Sequence, residues 1–567
     1  MAGVRHSPES DIQAIAANLR DRYKSGFPVL KEIVQNADDA GASELVIGWS
    51  GGLLGAEHPL LGDPAIFFIN NEALTHGDVQ GIMSIALGDK ADKKTAVGKF
   101  GLGMKSLFHF GEVFFFMADD WRDAPEKAEV FNPWAQRRPH WDAFSTNDKE
   151  RLENHLQVSL SNLSGNNSFL VWVPLRSESI MAARNDSPAV IIKGHDYTDK
   201  IPDFLLDPLL ASRMANIFPM LKKLKKVELC NVTPGALETL FSVSLLTPED
   251  NTRMSFGSET LGKEIAESGS FSDWSGKIKL ERNGDARATV DYYASETLLN
   301  ISPFTELRGH AHWPSSFGRG DDEIERQIPD KADPHAAAVF LRQPAAPDGA
   351  QLAIQWAVFL PLGEQDIAQT SQCFRIPIEG TSSFDILLHG YFFIDAGRVG
   401  IHGQRKIGSA QPGTLESEEE LTLEWNRQLA NLGTLNCILP ALSGLTKKYR
   451  LGQKEVVSIT RGLKEFIRTR QGDHDIAQWI TANNQWVYRV SPTERAWCRL
   501  GGQEKVRFIP PPVTGPPSSA DYERIWVTLP ALIEMGEDFY YAETGHPNLA
   551  AKEMSLWTVG DILSVLD

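Results

Sequence analysis

Three polar residues on one helix and a glycine-rich turn further along carry most of the chemistry readable in this chain. In "LKEIVQNADDAGASELVIGWS" (residues 30–50), Glu32 and Asn36 share one helix face, with Asp39 and Ala40 a turn on. A carboxylate so placed can orient and deprotonate a water, and an amide oxygen can ligate a Mg2+ held by phosphates. Alone, such a pair reads as readily as a solvated helix face. The second feature is "GDKADKKTAVGKFGLGMKSLFHFGE" (88–112), where Gly98, Gly101 and Gly103 form a GxxGxG pattern running into an apolar helix at Met104, Leu107 and Phe108. Glycines let backbone N–H groups approach phosphate oxygens, and a helix N-terminus favours anions. Lys90, Lys93, Lys94 and Lys99, set against Asp89 and Asp92, make the loop locally basic. A lone glycine triad is usually a loop. Following an ExxxN helix and an apolar strand, it points to a nucleotide phosphate.

The elements that must position these residues follow from periodicity. Apolar spacing predicts a helix over 9–24, opened by Ser7 and Pro8, and a second over 28–40, stopped by Gly41. "SELVIGWS", "AIFFIN" (65–70), "HFGEVFFFM" (109–117) and "SFLVWVPLRS" (168–177) read as strands, and 75–87 as a helix. The polar stretch 118–150 reads as an excursion. "LKKLKK" (221–226) reads as the wet face of an amphipathic helix that ends in a strand. Strand signals return from about 236, in "ARATVDYYAS", "AAAVFLRQP", "QLAIQWAVFLPL" and "FDILLHGYFFID", before an amphipathic helix at 423–445. The expected architecture is an α/β (α+β) sandwich with a mixed sheet covered by helices on one face. Three regions are expected: 1–180, 181–445, and 446–567 with a Pro-rich loop at 509–519.

Composition narrows the function classes. A formal charge of −18 disfavours a protein that grips nucleic acid with its whole surface. Cys230, Cys373, Cys437 and Cys498 are scattered without a CxxC pair, which argues against a disulfide framework or zinc site and for a reducing cytoplasm. The opening "MAGVRHSPESDIQAIAANL" has no signal-sequence pattern, and no apolar run is long enough to predict a membrane span. His310 and His312 lack partners at ligand spacing and read as solvent-facing.

"ExxxNADDAxA", the strand ending in Asn70–Asn71 and "GKFGLGMKS" resemble, in order and spacing, the motifs of the GHKL ATPases, the superfamily of Hsp90, MutL, type II topoisomerases and histidine kinases. "VLKEIVQNADDAGAS" and "VGKFGLGMKSLFH" resemble in particular the Hsp90-like ATPase region of the sacsin family. "WAVFLPL", "LHGYFFIDAGR" and "EWNRQLANLGTLNCILPAL" are similar to the segment that follows it there.

The resemblance implies a GHKL-type ATPase domain followed by a transducer-like α/β domain, with ATP as ligand and Mg2+ as cofactor. It implies Glu32 as general base and Asn36 as the metal ligand, with Asp39 and Ala40 lining the pocket. Gly98, Lys99, Phe100, Gly101, Leu102 and Gly103 would meet the phosphates, and residues 81–97 would form a lid offering Lys90, Lys93 or Lys94. The family has Asp, receiving the adenine amino group, where this chain has Asn71; a carbonyl oxygen can hold the base without the charge-assisted bond. Ser168 is the nearest candidate for the family's distal Thr, and equally a surface serine. Arg398, in "YFFIDAGRVGI", either reaches the γ-phosphate when domains dock or is a loop arginine.

The implied function is a slow ATP-driven conformational switch of Hsp90/sacsin type, acting through a protein partner, a client or a homodimer. A chaperone-like role or the sensor of a bacterial antiviral defence system is included by family analogy. The alternative is a nucleotide-sensing scaffold with little or no hydrolysis. A histidine kinase is disfavoured because no long helical segment with a phospho-acceptor His precedes the first helix, and a DNA-repair machine by the charge.

Overall fold

The computed structural model describes residues 26–83, 104–132, 141–161, 163–176, 201–233, 236–246, 271–282, 286–299, 302–313, 334–346, 349–358, 360–362, 373–394, 400–402 and 415–452, with short stretches at 455–456, 458–459, 462–463, 465–466, 486–490, 495–499, 507–509, 539–541 and 555–556. The helix expected at 9–24 and the centre of the Pro-rich loop lie outside the described residues. The chain divides into two compact units, Met1–Pro248 with Lys277–Val290, and Glu249–Gly276 with Asp291–Asp567.

The first unit is mixed α/β. Its sheet runs β7 (Ala236–Leu245), β6 (Lys226–Thr233), β1 (Glu44–Ser50), β2 (Ala65–Asn70), β5 (Phe169–Pro174), β3 (Phe114–Ala118), β4 (Ala128–Phe131). The β1–β6 pair is parallel and the other neighbours are antiparallel; Ile278–Arg282 of β8 (Ser272–Arg282) adds antiparallel to β7.

Alternation sorts these strands into two buried faces. Val46, Phe67, Ile69, Phe115, Trp172 and Cys230 form one core with Trp141, Phe144, Leu152 and Leu156, the last two from α2 (Thr146–Ser161). Each large apolar side chain fully buried there contributes about 1.5–3 kcal/mol. Gly48 is required on this face, because a Cβ would sit 1.9 Å from the Phe67 ring. The stretch expected as an excursion therefore supplies β4 and the first turn of α2, and its Trp141 and Phe144 join Leu152 and Leu156 in this core. The other face carries α1 (Gly26–Ala40) and a 3-10 turn at Met104–His109, whose Phe108 ring lies against Phe114 and Phe131.

The second unit is also mixed α/β. Among its described strands, β10 (His335–Pro344) lies between β9 (Ala286–Leu298) and β12 (Ser382–Gly390), antiparallel to both, and β12 runs parallel to β11 (Ala350–Val358). A helical run from Glu418 to Tyr449 packs on β10 and β12. The single helix expected at 423–445 is broken into α3 (Glu418–Gln428), a π segment Leu429–Thr434, a 3-10 turn Leu435–Cys437 and α4 (Ile438–Tyr449). Pro440 cannot donate to the carbonyl four residues back, and the run adjusts its winding just before it. By length and composition this run could cross a membrane, yet 78% of its most apolar window is buried inside the protein.

Candidate functional site

Helix α1 buries Phe27, Leu30, Val34 on one ridge and Val29, Ile33, Ala37 on the next. Its end is a Schellman motif. Gly41, at φ 103°, donates its N–H to Asp38 O at 3.1 Å, and Ala42 donates to Ala37 O at 3.0 Å. Glu32 and Asn36 are half-buried, and Asp39 and Ala40 are exposed at the C-terminal turn. The stripe expected from spacing is therefore in place. Among the described residues, the Asn36 Nδ2 is buried without a hydrogen-bond partner. Since amide O and N are assigned from their bonding, either end of that group can face a ligand. An orphaned buried donor costs about 1–3 kcal/mol, which an acceptor on a ligand, such as a phosphate oxygen, would recover. Among the described residues no three His, Cys, Asp or Glu side chains gather as metal ligands. A Mg2+ held at Asn36 would thus rely on phosphate oxygens, and the oxygen donor of an amide suits that hard cation.

Two neighbours on α1 escaped the sequence reading. Asp38 is buried and accepts backbone N–H groups of Lys222, Lys223 and Leu224 at 2.8, 2.7 and 2.8 Å. It ties the end of α1 to the entry of β6. The helix expected through "LKKLKK" is absent because those N–H groups serve Asp38, and only Leu221 and Leu224 turn inward. The signal was the doubled acid in "NADDA", of which one must face in. Lys31 is buried with Nζ 5.7 Å from the Phe27 ring centre, and burial lowers its ammonium to about 8, partly offset by the charge of Glu32.

The 3-10 turn Met104–His109 packs against α1. It begins at the residue that follows the glycine pattern, so the apolar helix expected there is a tighter turn with Leu107 and Phe108 buried. Gly98, Lys99, Phe100, Gly101, Leu102, Gly103, Lys90, Lys93, Lys94 and Arg398 lie outside the described residues. At the far end of the turn, the buried Arg176 guanidinium donates Nε to Glu112 Oε1 at 2.6 Å, Nη1 to His109 O at 3.0 Å and Nη2 to Phe108 O. Its backbone N–H donates to Phe110 O at 3.0 Å.

Asn71 stands just beyond β2 with its amide fully engaged. Its Oδ1 accepts the Ser43 and Glu44 N–H groups at 2.9 and 3.0 Å, and its Nδ2 donates to Ser43 Oγ at 2.8 Å and Ser164 O at 3.0 Å. The carbonyl expected to meet an adenine is thus committed to the backbone of β1. Asn70 pairs with Phe169, so Ser168 lies one step beyond on the adjoining strand, beside Asn71. The Ser168 N–H donates to Asp119 Oδ1 at 3.2 Å. The Glu72 carboxylate lies by Gly41, 3.3 Å from where a Cβ would stand. The C-terminal turn of α1 and the end of β2 therefore meet.

The Sacsin domain family matches residues 9–239. Residues 9–239 are sacsin-like. Sacsin of Homo sapiens is 25% identical over 263 residues, which span 42% of this chain and 5% of that protein's length. The sacsin-like region contains α1, the 104–109 turn, Asn71 and Ser168, and ends before Arg398. Among solved structures, the N-terminal domain of a DNA repair protein is 10% identical, covering 74% of this chain and 96% of its own, at a TM-score of 0.29. The B-subunit of DNA gyrase from Myxococcus xanthus is 7% identical, covering 75% of this chain and 95% of its own, at 0.25. Scores this low carry no weight for the site.

Proposed function

We propose that the sacsin-like region binds ATP with Mg2+ and hydrolyses it slowly, as a conformational switch of the Hsp90-like GHKL type. The observation that carries this reading is the orphaned amide of Asn36 on the helix against which the turn following the glycine pattern packs. From Glu32 to Ala40 the helix rises about 12 Å, room for a nucleotide laid along it. In this reading the phosphates lie toward Glu32, Asn36 and the loop residues Lys90, Lys93, Lys94, Gly98, Lys99, Phe100, Gly101, Leu102 and Gly103. The base lies toward Asp39, Ala40, Asn71 and Ser168. Glu32 takes a proton from water as its oxygen attacks the γ-phosphorus and the bond to the ADP oxygen breaks. Asn36 orients the phosphate end, and Arg398 would add positive charge there. When bound, Mg2+ neutralises phosphate charge.

The proposed division of labour is functional: ATPase over 1–180, transducer-like segment over 181–445, and a C-terminal region of separate role over 446–567. A cytoplasmic site of action, a homodimer or protein client as output, and service as a chaperone or defence sensor belong to the same proposal. A nucleotide sensor that does not hydrolyse is the second reading, favoured by the commitment of Asn71 to the fold. Phosphate release under saturating MgATP tests the choice. We expect Glu32→Ala to lose at least about tenfold of a slow rate while MgATP still binds by calorimetry. Equal rates in both proteins remove Glu32 from catalysis, and no binding by wild type removes the ATP site.

A further inference from the structure

We infer that Arg176 is a positioning residue, whose guanidinium sets the 104–109 turn against α1 and so tunes nucleotide affinity from the end of β5; the inference rests on the ATP-site reading above. The turn ends with carbonyls that no helix continues to satisfy. Leu107 O accepts the N–H groups of Phe110 and Gly111 at 2.9 and 3.2 Å. The next three carbonyls, of Phe108, His109 and Phe110, all go to Arg176, two to its side chain and one to its backbone N–H.

Such a cap requires a planar fork with several donors, which arginine has and lysine lacks. It also requires a compensating anion, because Arg176 is 2% exposed. Glu112, 7% exposed, supplies it at 2.6 Å from Nε. The corner between them has no slack, since a Cβ on Gly111 would stand 2.3 Å from Pro174 O. Leu175 donates its N–H to Pro64 O at 2.8 Å, so Arg176 itself is fixed beside the start of β2. A buried ion pair is a costly way to fill a core, and hydrophobic replacement would often hold it as well. Its use at this corner is intelligible if the position of the turn matters beyond stability.

The test uses Arg176→Lys, which keeps the cation beside Glu112 but cannot serve both carbonyls. Hydrogen exchange of the Ser106–Phe110 amides and MgATP affinity are measured at a temperature where the variant is folded. Exchange is expected to accelerate, and affinity to fall about tenfold, with circular dichroism unchanged. A purely architectural role would lower the melting temperature and leave the affinity of the folded protein alone. If the folded variant exchanges and binds as wild type does, the inference is overturned. If Arg176→Lys fails to fold, Glu112→Gln, which keeps an acceptor for Nε, is judged by the same two readouts. Faster exchange in a protein whose wild type binds no MgATP upholds the placement of the turn and overturns the ATP reading.

Discussion

Asn71 shows how one atom's worth of chemistry can redirect a site. Its amide makes four bonds, two accepted and two donated, which is all it can make. A carboxylate there could still accept from Ser43 and Glu44, but would lose both donations and stand near Glu44, which itself binds Ser164. Asn71→Asp is therefore expected to destabilise the first unit by about 1–3 kcal/mol. It should not tighten ATP. A thermal melt at or above the wild-type midpoint would refute the account. Lys31 supplies a pH signature. Its folded value, about 8, lies below the unfolded 10.5, so the folded state binds fewer protons between those values and stability rises with pH across that window. Below pH 8 the full penalty of a buried ammonium applies, on the order of 3 kcal/mol. Urea titrations from pH 7.5 to 10 are expected to show this rise in wild type and its absence in Lys31→Met; parallel slopes would disprove it.

At the scale of elements, the sequence was most legible where a pattern is local. The end of α1 at Gly41, β1 and β2 were readable because a stop glycine and unbroken apolar runs carry their own punctuation. The face of Glu32 and Asn36 was readable because helix geometry fixes which residues align. What stayed hidden was tertiary. Whether Asp38 or Asp39 faces inward depends on a turn near residue 222, far along the chain. The helix expected across "LKKLKK" had acceptable local spacing, and lost to a carboxylate that took its N–H groups. The 118–150 stretch reads as an excursion because its apolar residues are sparse, although Ala128, Val130, Trp141 and Phe144 all reach one core. Asn71's bonds to Ser43 and Ser164 join segments that no local pattern connects.

For the whole molecule, the first unit is assembled from two stretches, with Lys277–Val290 returning after Pro248. Ile278–Arg282 pair with β7, so a fragment ending at 248 would leave that strand as an open edge. We expect the 1–248 fragment to self-associate and melt below one extended to residue 290, by size-exclusion chromatography and thermal scans. Indistinguishable behaviour would show that the return segment is dispensable. The same non-locality bears on how the chain is made. β1 ends at Ser50 and pairs with β2, which begins at Ala65, but its other neighbour, β6, starts at Lys226. While the ribosome is still extending the chain toward that point, β1 has one bare flank and the Asp38 carboxylate has no amides to hold. The nascent polypeptide thus carries an unfinished sheet through most of this unit's synthesis, the stage at which a holdase would do most to keep it from pairing with a stranger.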